Sequence, residues 1–253
     1  MDYLLPILFV VAVWWLSTVV LLYRAGLPQS TYPATLAGAA VLAAVGLVAV
    51  VLTRDNPDAG AAYGAFAAAL AVWAFLETSY LLGFVTGPRP QPCPPDTTMA
   101  GRFGYGIRAC LYHELTILAT AALLAALTWN AVNRVALWTF VIVWLMRWST
   151  KLNIFLGVRN LRHEFWPGHL QYLQSYARQR TMNPLFPWSM LVALLLIGVL
   201  AGEAVGARHI PAERTGAMLL ATILALAALE HLFLMLRLPD DALWRLGTRA
   251  RDV

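Results

Sequence analysis

Seven apolar stretches, each long enough to cross about 30 Å of hydrocarbon as a helix, restrict what this chain can become. They run roughly from Tyr3 to Tyr23, Ala34 to Thr53, Ala61 to Thr86, Cys110 to Asn130, Val135 to Gly157, Trp188 to Gly206 and Thr215 to Arg237. A backbone inside lipid must satisfy its own hydrogen bonds, so spans of this length and composition are helices. Hydrophobic residues make up 60% of the chain and charged ones only 12%, about half the charged share of a soluble domain. The expected fold is therefore all-α: one polytopic transmembrane domain over residues 1–253, embedded in a lipid bilayer. The first stretch has no basic segment before it and no small-residue cleavage site behind it. It reads as a retained span, not a removed signal peptide.

Orientation follows from the basic residues. Alternating the seven spans puts twelve arginines on one side and four on the other, with Arg147 and Lys151 inside a span completing the eighteen. By the positive-inside rule, the N-terminus is periplasmic and the C-terminus cytoplasmic. The same placement accounts for the net charge of +5 without nucleic acid. Cys93 and Cys110 fall on one side with no CxxC spacing, so they indicate neither a disulfide framework nor a zinc knuckle.

Two connections are long. The one from Gly87 to Ala109 contains PRPQPCPP and is expected to be extended and irregular. The other, about residues 158–187, spaces Leu161, Phe165, Leu170, Leu173 and Tyr176 among basic and polar residues. This pattern predicts a short amphipathic helix at the cytoplasmic membrane surface, broken near its start by Pro167-Gly168.

Four spans carry ionisable residues at depth: Glu77, His113-Glu114, Arg147 with Lys151 (followed by Asn153), and Glu230-His231. A charge inside a membrane span costs about 2.5 kcal/mol or more unless paired or snorkelling, so Arg147 and Lys151 call for Glu77, Glu114 or Glu230. All these groups fall in the cytoplasmic half and define one polar layer. In the antiparallel fourth and seventh spans the pairs are reversed, so two histidines could face each other with carboxylates just above them. Three uses of the layer stay open. It compensates charge and glues helices. It holds a transition metal, with His113, Glu114, Glu230 and His231 as candidate ligands. Or it handles protons or binds a substrate. Adjacent His-Glu pairs diverge by about 100° on a helix, which weighs against a carboxylate-bridged di-metal bundle. Arg159, Arg162, His163, Glu164 and His169 form the cytoplasmic mouth below the layer. The tryptophans, Trp14 and Trp188 among them, read mainly as interfacial anchors.

The run MRWSTKLNIFLGVRN, Glu164-Phe165, HLQYLQSY, Met182 to Pro187 and Glu230 to Phe233 resemble the PuhE family. That family is assigned to photosynthetic-complex assembly in purple phototrophic bacteria and is encoded near the reaction-centre H subunit. The resemblance implies a multi-pass protein of the inner (intracytoplasmic) membrane that helps build or pigment the reaction centre and core light-harvesting antenna. Bacteriochlorophyll or its precursor becomes a candidate ligand, and reaction-centre or core antenna subunits and pigment-biosynthesis enzymes become candidate partners. The family carries no catalytic residues to transfer, and a non-enzymatic role is the first expectation. The alternative is a His/Glu metalloenzyme acting on a lipophilic tetrapyrrole or carotenoid. A proton-coupled transporter fits less well, because neither inverted repeats nor broken mid-membrane helices are visible.

Overall fold

The computed structural model describes residues 3–161, 167–206 and 211–236. Among these, seven helices are long and apolar enough to span a membrane. They are α1 (Leu4–Gly26), α2 (Tyr32–Thr53), α3 (Ala59–Leu81), α4 (Met99–Leu127), α5 (Val135–Leu156), α6 (Leu185–Gly206) and α7 (Pro211–Met235). No strand accompanies them among the described residues.

Side-chain size decides which helices sit inside. Helix α3 opens AGAAYGAFAAALA, and Ala61, Ala62, Ala65, Ala68 and Ala69 are all buried. Small residues let backbones approach, which is how helices pack when lipid tails are as apolar as leucine. A Cβ built on Gly46 of α2 would lie 2.9 Å from the Ala68 carbonyl oxygen, so only glycine allows this α2–α3 contact. Helices α3, α5 and α7 pack on one another at the centre, with α2 against α3, α6 against α7, and α1 along α7 and α3. The leucine-rich face of α6, including Leu191, Leu194, Leu195 and Leu196, is exposed and suits lipid contact.

The turns at one end are tied by polar caps. Arg54 donates to the Leu127 carbonyl at 2.8 Å, and Asn133 Nδ2 to the Thr53 carbonyl at 3.2 Å, which join the end of α2 to the α4–α5 turn.

At the opposite end two span boundaries differ from expectation. Helix α3 stops at Leu81, short of Thr86, because the chain turns at Gly83 with φ +82°. The His169 ring lies 2.8 Å from where a Cβ would stand there, so glycine is required twice over. Helix α4 starts eleven residues early, at Met99, where Thr98 accepts the Gly101 N–H at 3.2 Å as an N-cap. Hydropathy alone misses that first part because its sequence, GRFGYGIR, is mixed.

The amphipathic connection forms a 3-10 helix over Gly168–Tyr176, directly after Pro167. Three residues per turn bring Leu170, Leu173 and Tyr176 onto one edge. That edge is buried against Tyr80 and Ala109. Tyr176 accepts from Arg89 at 2.6 Å and donates to the Gln91 carbonyl at 2.8 Å, which pins the proline-rich connection to the segment. Burial pushes the Tyr176 hydroxyl above its usual range.

Candidate functional site

The polar layer assembles around the second half of α5. Arg147 and Lys151 are four residues apart and therefore share a face, about 6 Å apart along the helix. Each finds its own acid. Arg147 donates to Glu77 of α3 at 3.1 Å, and Lys151 pairs with Glu114 of α4. Glu77 lies four residues, about 6 Å, from the end of α3, closer to the end than a span reaching Thr86 implied.

His113 completes the first pair. It is wholly buried, its Nε2 lies 3.7 Å from the second oxygen of Glu77, and its ring stacks on Tyr80 with centroids 4.4 Å apart. The Lys151 ammonium sits 5.4 Å from the centroid of the same Tyr80 ring. Tyr80 is thus the common wall of the layer, and sequence reasoning missed it. Its spacing could have pointed there, since it follows Glu77 by three residues and shares its helix face. The His113 N–H donates to the Thr86 carbonyl at 3.0 Å, so the turn after α3 packs directly on α4 at this level.

His231 belongs to a different network. Its Nδ1 faces the Ala227 carbonyl at 2.8 Å and must carry the proton, because a carbonyl only accepts. Nε2 therefore accepts from Ser149 at 2.8 Å. Ser149 meets Ser189 of α6 at 3.0 Å, and Asn153 donates to Ser189 at 3.2 Å and to the Ser149 carbonyl at 2.9 Å. The two histidines accordingly serve separate networks and do not form one facing pair. Among the described residues, no three His, Cys, Asp or Glu side chains group closely enough to hold a metal ion. His113, Glu114, Glu230 and His231 are thus divided among different partners.

Glu230 takes a hydrogen bond from Trp14 of α1, within electrostatic reach of Arg147 and Glu77. Trp14 stands ten residues into α1, about 15 Å deep, so its place is inside the bundle and not at an interface. That depth was the signal available in the sequence. Three carboxyl groups thus share the layer with two cations, and Glu230 is the one outside the two ion pairs.

Five polar atoms of the layer are buried without a hydrogen-bond partner: Glu77 Oε1, both His113 nitrogens, Glu114 Oε2 and Arg147 Nε. Meanwhile 37% of the Arg147 side chain and 24% of Lys151 remain accessible. Both cations therefore reach the surface of the bundle rather than being sealed inside it.

Of the expected mouth, Arg162, His163 and Glu164 lie outside the described residues. His169 Nε2 donates to the Leu81 carbonyl at 2.9 Å and holds the 3-10 segment onto the end of α3. Arg159 is held through its backbone, whose N–H donates to the Leu234 carbonyl at 3.1 Å.

The model of the family described as "Protein of unknown function (DUF3623)" matches residues 1–253. The chain is also 36% identical, over 236 residues, to a Rhodobacter capsulatus protein described as "Uncharacterized 30.4 kDa protein in puhA 5'region". That similarity covers 92% of this chain and 86% of the relative. No solved structure matches. The full-length match and the puhA-region relative together establish that the chain belongs to the DUF3623 family, the PuhE family that its central motifs resemble.

Proposed function

We propose that this protein is an assembly or maturation factor for the bacterial photosynthetic reaction centre and its core antenna. It engages pigment or nascent subunits through the polar layer. The relative in the puhA 5' region supports the process. The observation that carries the site is the set of buried, unpartnered polar atoms around the Tyr80–His113 stack, beside two partly accessible cations. Charge compensation alone would be complete with Arg147 on Glu77 and Lys151 on Glu114. The wholly buried His113 imidazole stands 3.7 Å from Glu77 through Nε2 and leaves Nδ1 without a partner, which is more than that task needs. A neutral imidazole offers a lone pair to an electrophilic centre such as the magnesium of a bacteriochlorophyll, or a proton to an incoming acid.

The test compares His113→Gln with His231→Gln in a phototrophic host. His113→Gln should leave the protein abundant while reaction-centre and core-antenna absorbance falls. His231→Gln should lower stability by about 1 kcal/mol through the lost Ser149 bond, and act mainly through protein level. If the His113 variant accumulates and pigment-protein complexes are unchanged, the layer is purely structural and the proposal fails.

The layer opens to the cytoplasm if the arginine asymmetry sets orientation, with the N-terminus in the periplasm. A reporter that works only in the cytoplasm, fused after Val253, should be active. Activity only from a periplasmic reporter at that position would reverse the assignment.

A further inference from the structure

A second polar site lies at the C-terminal end of α5, independent of the layer above. Helix α4 has 29 residues, about 44 Å, and so outruns a hydrocarbon core of about 30 Å. Its first turns stand beside the last turn of α5, at headgroup depth. Arg102, one turn into α4, is only 7% exposed. Its guanidinium donates to the Phe155 carbonyl at 2.8 Å and lies 4.3 Å from the centroid of the Phe155 ring, while Nε is buried and unpartnered.

Two more arginines are brought to the same place by the backbone. Val158 and Arg178 to Arg180 run side by side, with the Arg178 N–H bonded to the Ile154 carbonyl at 3.1 Å and the Arg180 N–H to the Val158 carbonyl at 2.9 Å. The Arg180 stem lies over Gly157, where φ is +129° and a Cβ would stand 2.7 Å from Arg180 Cγ. Both residues are thereby held at the end of α5, where Arg102 caps the Phe155 carbonyl. Among the described residues no carboxylate forms an ion pair with any of the three. The end of α5 offers about half a negative charge, far less than three guanidiniums require.

We propose that Arg102, Arg178 and Arg180 bind a phosphate group at headgroup depth, as borne by an anionic phospholipid or by free phosphate. Guanidinium matches phosphate oxygens with paired N–H donors, and Arg102 is already oriented by Phe155. The chemistry is shared by the two sources.

The test uses the full-length chain in neutral detergent, with bound lipid read by native mass spectrometry. The probes are phosphatidylglycerol, phosphatidylcholine and inorganic phosphate. Arg178→Gln with Arg180→Gln leaves the α5 cap made by Arg102 in place, and among the described residues neither side chain makes a hydrogen bond or ion pair that would be lost. This double variant should bind phosphatidylglycerol roughly tenfold more weakly or worse, as expected for lost charge-assisted bonds. A charge-matched control, Arg24→Gln with Arg108→Gln, should retain it. Displacement of the lipid by millimolar inorganic phosphate would show that the phosphate alone is recognised. Failure to displace would show that the lipid is the ligand. Equal loss in both double variants means general charge attraction and overturns the proposal. So does binding unchanged in the site variant, or no preference over phosphatidylcholine together with no inorganic phosphate bound.

Discussion

Arg147→Leu should lower the stability of the folded protein by about 3 kcal/mol, the lower end of what an abandoned buried charge costs. The cost comes from Glu77, which is left 8% exposed without its cation, and not from the loss of arginine itself. Arg147 is itself more than a third accessible, so the pair is not fully buried, which is why the lower figure applies. The pairing makes the rescue specific. Glu77→Gln should restore most of the lost stability in the Arg147→Leu background, because the orphaned charge is gone. Glu114→Gln should not, because Glu114 answers to Lys151. Unfolding in detergent, followed by helical signal or by retention on gel filtration, gives the comparison. Equal rescue by both glutamines would mean that the layer is one diffuse charge cluster and not two defined pairs.

The second large effect is expected at Asn183, which is 2% exposed and joins two helices through one side chain. Its Oδ1 accepts the N–H groups of Leu185 at 3.0 Å and Phe186 at 3.1 Å, capping the start of α6. Its Nδ2 donates to the Gly157 carbonyl at 2.8 Å, closing the end of α5. Asn183→Ala should cost about 2–4 kcal/mol, combining a lost N-cap with a buried carbonyl left unsatisfied. Asn183→Ser keeps an oxygen for the cap but cannot reach Gly157, so it should recover only part of the loss. A serine variant as stable as wild type would show that the Gly157 bond contributes nothing. The effect should also reach the Ser149–Ser189–His231 network, since the α5–α6 spacing that Asn183 fixes is the spacing those hydroxyls bridge.

Asn183 also shows where sequence reading falls short. Asn183-Pro184 before an apolar run is a helix-start signal, but hydropathy placed the sixth span at Trp188, three residues past the observed start at Leu185. The same threshold missed the first turns of α4 and with them Arg102. Caps and emergent turns are polar, so a scale that rewards apolar residues trims them off.

The sequence by itself determined that there are seven spans, that the fold is helical, and that ionisable residues cluster towards one end of four of them. Membrane thickness makes this possible: it is a single length, and each segment either meets it or does not. The demand for acids opposite Arg147 and Lys151 was equally legible, because an unpaired charge at depth is too costly to leave. Only the tertiary structure decided which acid meets which base, that Tyr80 stands beside both His113 and Lys151, that Trp14 reaches Glu230, and that the two histidines part company. Those outcomes depend on the rotation of each helix about its own axis. Neighbouring residues such as His113 and Glu114 point about 100° apart. One turns to Glu77 and the other to Lys151, and depth along the membrane, the coordinate that sequence supplies, carries no information about that angle.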